Sequence, residues 1–164
     1  RSKLGEGSEF FFTIPMKITE PVVSEDIGNA DSIDFTSKRV LIVEDDELNI
    51  EIARTLIETE GIMTDVAENG AAAVDKFEKS EIGYYDAILM DIRMPVMDGI
   101  EATKHIRSAD RADASSVPII AMSANAFDED MKKSVECGMN GHLTKPIDMT
   151  KVMETFRRIW SVKQ

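Results

Sequence analysis

The chain has 164 residues, 43% of them apolar, enough for one ordinary domain with a real core plus a short extra segment. Its 19 basic and 31 acidic residues leave a net charge of −12, which argues against nucleic-acid and anionic-membrane binding, because both need cationic surface. A single cysteine, Cys137, excludes an internal disulfide and fits a reducing compartment, and no apolar run approaches the roughly 18–20 residues of a membrane span.

Residues 1–14 do not read as part of the domain that follows. Gly5-Glu6-Gly7-Ser8 is a turn-like cluster, and Glu9-Phe10-Phe11-Phe12-Thr13-Ile14 is a strand-forming run closed by Pro15. Three consecutive phenylalanines need apolar cover, so the run either belongs to a larger folded unit or docks on the chain downstream. Arg1 is not a start methionine, and the sequence is expected to be a fragment. Residues 16–37 are acidic and sparse in large apolar groups, with Pro21, Ser24, Gly28, Ser32 and Ser37; they read as a flexible linker.

From Lys38 to Gln164 the pattern alternates strand and helix five times. Val40-Leu41-Ile42-Val43 is a continuous apolar strand followed at once by Glu44, Asp45 and Asp46. Leu48, Ile52, Ala53 and Leu56 then recur at helical spacing, with Gly61 past the helix end. Residues 62–67 alternate in character, which suits an edge strand, and Asn69-Gly70 leads into a helix over 71–79. Ala87-Ile88-Leu89-Met90 is a buried strand that ends at Asp91; Pro95 bars further pairing, and Asp98 caps a helix to about residue 109. Residues 118–122 form another apolar strand ending at Ser123. A helix with Phe127, Met131 and Val135 follows, its first turn acidic, and Gly138 is its stop. The last strand, 142–144, is short and ended by Lys145-Pro146, and the final helix gathers Met149, Val152, Met153, Phe156, Ile159 and Trp160 on one side. Strands alternating with helices predict an α/β fold, a flavodoxin-like doubly wound five-stranded parallel sheet of order 2-1-3-4-5 with helices on both faces.

In such a sheet the carboxyl ends of the strands lie along one edge. That edge would gather Glu44 and Asp45, Asp91, Ser123 and Lys145 from four strands. Carboxylates packed together repel unless a cation intervenes. An all-oxygen set favours Mg²⁺, and no His or Cys in the cluster favours zinc. Asp91 is then a phosphate acceptor, with Lys145 to pair with the product and the Ser123 hydroxyl to hydrogen-bond it.

With these pieces in place, residues 38–164 resemble a receiver domain of the two-component response-regulator family along their whole length. The resemblance rests on residues 40–46, 90–99, 119–124 and Leu143-Thr144-Lys145-Pro146. It implies Asp91 as phosphoacceptor, Glu44 and Asp45 as the acidic pair at Mg²⁺, and Arg93 as a metal ligand through its backbone carbonyl. It further implies Ser123 as the switch hydroxyl, Lys145 as the phosphoryl contact and a cis Lys145–Pro146 bond. Arg93 and Asn125 flank the site and are expected to tune phosphoryl lifetime. His142 stands where the family usually has Tyr or Phe, the ring that partners the switch hydroxyl; it either takes over that coupling or lies on the surface.

Residues 4–15 look like the C-terminal end of a histidine-kinase ATP-binding domain. Together the two resemblances imply a hybrid sensor histidine kinase as the parent, with this part cytoplasmic and membrane anchoring of the parent left open. The partners implied are a phosphohistidine domain of a kinase, a histidine phosphotransfer domain, or both, with no nucleic acid and no direct membrane contact. The fragment would catalyse its own aspartyl phosphorylation and slow dephosphorylation, with the ATP site outside this chain. The alternatives are a stand-alone response regulator or a receiver acting as an interaction module without phosphorylation. A Mg²⁺-dependent aspartyl phosphatase needs a general acid two residues after the nucleophile, where Arg93 cannot serve. A flavin binder needs a Ser/Thr/Gly-rich loop where Glu44-Asp45-Asp46 stands.

Overall fold

The computed structural model describes residues 2–3, 7–8, 34–124 and 128–161. Two units are distinguished, residues 1–32 and 33–164. In the first, Ser2–Lys3 and Gly7–Ser8 pair antiparallel. The aromatic strand expected at Glu9 to Ile14 lies outside the described residues, as does the linker up to residue 33.

The second unit is built on five strands: β1 (Arg39–Val43), β2 (Met63–Ala67), β3 (Ala87–Asp91), β4 (Ile119–Ser123) and β5 (Gly141–Thr144). All pair in parallel in the order β2-β1-β3-β4-β5. This is the flavodoxin-like order expected from the alternation of strand and helix. β3 and β4 are buried at every position, which is why they read as unbroken apolar runs, whereas β2 is only partly buried, as its alternating sequence predicts for an edge.

The connecting helices are α1 (Glu47–Thr59), α2 (Gly70–Lys79), α3 (Gly99–Ser108), α4 (Asp128–Glu136) and α5 (Met149–Ser161). One face of the sheet packs Leu41, Ile88, Met90 and Ile119 with Phe77 of α2 and Ile106 of α3. The other packs Ile42, Leu89 and Met122 with Ile57 of α1 and Phe156 of α5. α5 buries Val152, Met153, Phe156 and Trp160, the stripe its 3.6-residue spacing marks out. Gly61 ends α1 at φ +83, a conformation that costs any side chain about 1 kcal/mol or more.

Three expectations are corrected. Of the α1 stripe, Ala53 is buried as expected and Leu56 half-buried, but Leu48 and Ile52 are 69% and 45% exposed, and Ile57 fills the core in their place. On α4, Met131 and Val135 face solvent while Ser134 is buried; Phe127 lies outside the described residues. The stretch assigned to the linker is folded at its end: Asp34 accepts from Thr36 N at 2.9 Å to cap a 3-10 turn over Phe35–Ser37. Phe35 there packs on Trp160 with ring centroids 5.8 Å apart. The aromatic pair anchors four residues whose composition alone gave no reason to expect order.

Candidate functional site

Each strand delivers its last residues to one edge, and the local sequence fixes what happens next. After β1, Asp46 takes the helix-cap role, its side chain accepting from Asn49 N at 3.0 Å. That leaves Glu44 and Asp45 for other work. Glu44 is buried and Asp45 exposed. Asn49 Nδ2 donates to Glu44 Oε1 at 3.1 Å, a supporting contact that the sequence reading missed. Its only signal was an amide one turn into the helix after an acidic strand end.

At the end of β3, Asp91 is 6% exposed. Its Oδ1 accepts from the backbone N–H of Arg93 at 3.2 Å, and its Oδ2 from Lys145 Nζ at 2.6 Å. The chain then turns sharply. Val96 adopts φ +71, a left-handed conformation that is strained for a β-branched residue, and Met97 N donates to Pro95 O at 2.8 Å across it. Asp98 caps α3 by accepting from Glu101 N at 2.7 Å. Gly99 packs directly behind Asp91, where any Cβ would overlap the Asp91 carbonyl oxygen.

Lys145 follows β5 and joins to Pro146 through a cis peptide bond, the isomer anticipated for this pair. Its Nζ lies 2.5 Å from Glu44 Oε2, an ion pair rather than an aligned hydrogen bond, besides its bond to Asp91. Burial pushes the ammonium down, but the hydrogen bond it donates to Asp91 and the negative charges of Asp91 and Glu44 outweigh that and hold the pKa above its ordinary value. One carboxylate oxygen from each of Glu44, Asp45 and Asp91 lies within 4.8 Å of the others. Among the described contacts the cation that meets these carboxylates is the ammonium of Lys145, and a divalent cation would offset the excess of negative charge. Hard oxygen donors in partly hydrated surroundings fit Mg²⁺.

Ser123 ends β4, is 3% exposed, and has its Oγ 2.9 Å from Nε2 of His142 on β5. His142 therefore does not simply lie on the surface: it is half-buried and bonded to the serine. The structure brings Glu44, Asp45, Asp91, Lys145 and the Ser123–His142 pair to the carboxyl edge of the sheet. Arg93 is exposed there and linked to Asp91 through its backbone. Asn125 lies outside the described residues. Among the described residues, no helix is long and apolar enough to cross a membrane.

Comparison with known proteins agrees with this fold. The family model described as response regulator receiver domain matches residues 40–157. The aerobic respiration control sensor protein ArcB of Escherichia coli is 32% identical over 166 residues, covering 99% of this chain but 20% of ArcB. The chain thus spans about a fifth of that relative's length. Among solved structures, the receiver domain of sensor histidine kinase PA1611 from Pseudomonas aeruginosa superposes with a TM-score of 0.68 at 34% identity. The match covers 77% of this chain and 98% of that one, and that structure holds a magnesium ion coordinated in its active-site cleft. The receiver domain of Ssk1 from Saccharomyces cerevisiae, co-crystallised with the histidine phosphotransfer protein Ypd1, gives a TM-score of 0.64 at 31% identity. Coverage there is 73% of this chain and 86% of the other.

Proposed function

We propose that this chain, which belongs to the response regulator receiver domain family, takes a phosphoryl group from a phosphohistidine onto Asp91 and changes conformation around it. The observation that carries the reading is the setting of Asp91, a buried carboxylate with one oxygen on Lys145 and two further carboxylates within metal-sharing distance. An Asp91 oxygen attacks phosphorus, the phosphorus–nitrogen bond of the donor breaks, and its electron pair returns to the donor imidazole. Lys145 pairs with a phosphoryl oxygen of the product, and Ser123 donates its hydroxyl proton to another. Glu44, Asp45, Asp91 and the Arg93 carbonyl would hold Mg²⁺, which supplies charge neutralisation for the incoming phosphoryl group. Arg93 offers no carboxyl proton to assist hydrolysis, which favours a phosphoryl group that is stored; Arg93 and Asn125 set its lifetime.

The partner we infer is helical. Leu48 and Ile52, one turn apart on α1, and Val96 in the loop after β3 are exposed on elements that leave the same sheet edge as Asp91. Exposed apolar groups beside a reacting carboxylate suit docking of a phosphotransfer domain or a kinase phosphohistidine domain. The Ssk1–Ypd1 complex is a solved instance of such a pairing in a related receiver. The resemblance of residues 4–15 to the end of a histidine-kinase ATP-binding domain, with the near-full overlap with ArcB, supports a hybrid histidine kinase as the parent. A cytoplasmic setting follows, where ATP-derived phosphohistidine is made.

Incubation with a phosphohistidine donor in Mg²⁺ tests the assignment. Wild type should label stoichiometrically and Asp91→Asn not at all. Stoichiometric labelling of the variant at another residue would overturn it.

A further inference from the structure

Parallel pairing sets Ser123 opposite Thr144 and Ala121 opposite His142. Ser123 and His142 are thus diagonal neighbours on one face of the sheet, within reach of each other's side chains. The imidazole Nε2 lies 2.9 Å from the serine Oγ, at the rim of a site where the same Oγ has a second prospective partner, a phosphoryl oxygen on Asp91. A serine hydroxyl carries one proton. If Ser123 donates to His142, that proton is committed; if His142 donates, the bond still holds the oxygen toward β5. In the first case donation to the phosphoryl group gives up the histidine bond outright, and in the second any turn of Oγ away from β5 does so.

The geometry points to His142 as a positioning residue that holds Ser123 in the resting arrangement by a direct hydrogen bond, which the phosphoryl group must displace. The inference rests on Asp91 being the phosphoacceptor. A phenylalanine at 142 would keep the ring and take no part in the bond, so the cost of switching belongs to the histidine nitrogen and not to ring packing.

Beryllofluoride with Mg²⁺, used as the phosphoryl mimic, separates the two. Its affinity is measured calorimetrically for wild type, His142→Phe, Ser123→Ala and the double variant. His142→Phe should bind about fivefold tighter than wild type, the effect of one neutral hydrogen bond. In the Ser123→Ala background the same change should shift affinity less than about twofold, because the partner is gone. His142→Leu, which also lacks the nitrogen, should repeat the gain if the phenylalanine variant folds poorly. The Nε2 ¹⁵N resonance of the wild type should move on loading as its hydrogen bond is lost. Equal effects in both backgrounds, or no gain in either variant, would overturn the latch. Failure of wild type itself to bind the mimic would instead overturn the phosphoacceptor reading and the latch with it.

Discussion

The two edges of the sheet are both rich in charge, and they use it in opposite ways. At the amino edge Lys38, Arg39, Asp86, Arg111 and Asp113 are all paired. Asp86 accepts from Lys38 Nζ at 3.0 Å and from Arg39 N at 2.9 Å, while its carbonyl accepts from Trp160 Nε1 at 3.2 Å. Arg111 lies over the Phe77 ring, chelates Asp113 and donates to the carbonyls of Phe77, Ser80 and Glu81. At the carboxyl edge, two carboxylates share one ammonium and a third stands close by. Saturated pairs hold a structure in place; an under-neutralised cluster leaves room for a cation and a phosphoryl group to complete it. The molecule keeps its saturated pairs at one end and its unbalanced carboxylates at the other.

The largest test of that division is Trp160→Ala. Trp160 stacks on Phe156 at 4.6 Å and tilts against Phe35, so truncation should cost about 4 kcal/mol in urea unfolding. Asp91 labelling per folded molecule should persist. A cost under about 1 kcal/mol, or folded protein that no longer labels, would break the comparison. Next in size is Lys145→Met without metal. It leaves Glu44 and Asp91 buried without their cation, a loss of about 2 kcal/mol given the partial exposure of Lys145. Added Mg²⁺ should recover much of it in thermal melts. Unchanged or raised stability in metal-free buffer would mean that the cluster is not under-neutralised.

These contrasts mark what the sequence made legible. Strand order and the residues gathered at the carboxyl edge could be read because buried parallel strands are unbroken apolar runs with conspicuous polar exits, as at Val43–Glu44 and Met90–Asp91. The exposure of Leu48, Ile52, Met131 and Val135 could not. Helical spacing defines a stripe but not which of its residues the sheet covers: on α1 Ala53 is buried while Leu48 and Ile52 of the same stripe are not, and on α4 the small Ser134 is the buried residue. The Phe35–Trp160 contact was hidden for another reason: a linker's average composition conceals one aromatic residue whose partner is more than a hundred positions away. His142 was visible as a departure, but its bond to Ser123 depends on strand register that spacing alone does not give.

The smallest effects separate the edges by pH. Hydrogen bonding from Arg111, with help from the Gly83 N–H, holds the Asp113 carboxyl below its ordinary value. A depressed carboxyl contributes stability that is present above the ordinary aspartate value and is lost as pH falls through its folded value. Arg111→Met removes the leading cause, so its deficit relative to wild type should be widest near neutrality and should narrow in acid. Lys145 is shifted the other way, above 10.5. Its contribution is present below that value and disappears as pH rises through the raised one, so the Lys145→Met deficit should close on the alkaline side. Urea unfolding of both variants across the pH range measures the two limbs. If both deficits closed on the same side, the edges would not be the differently balanced structures their geometry describes.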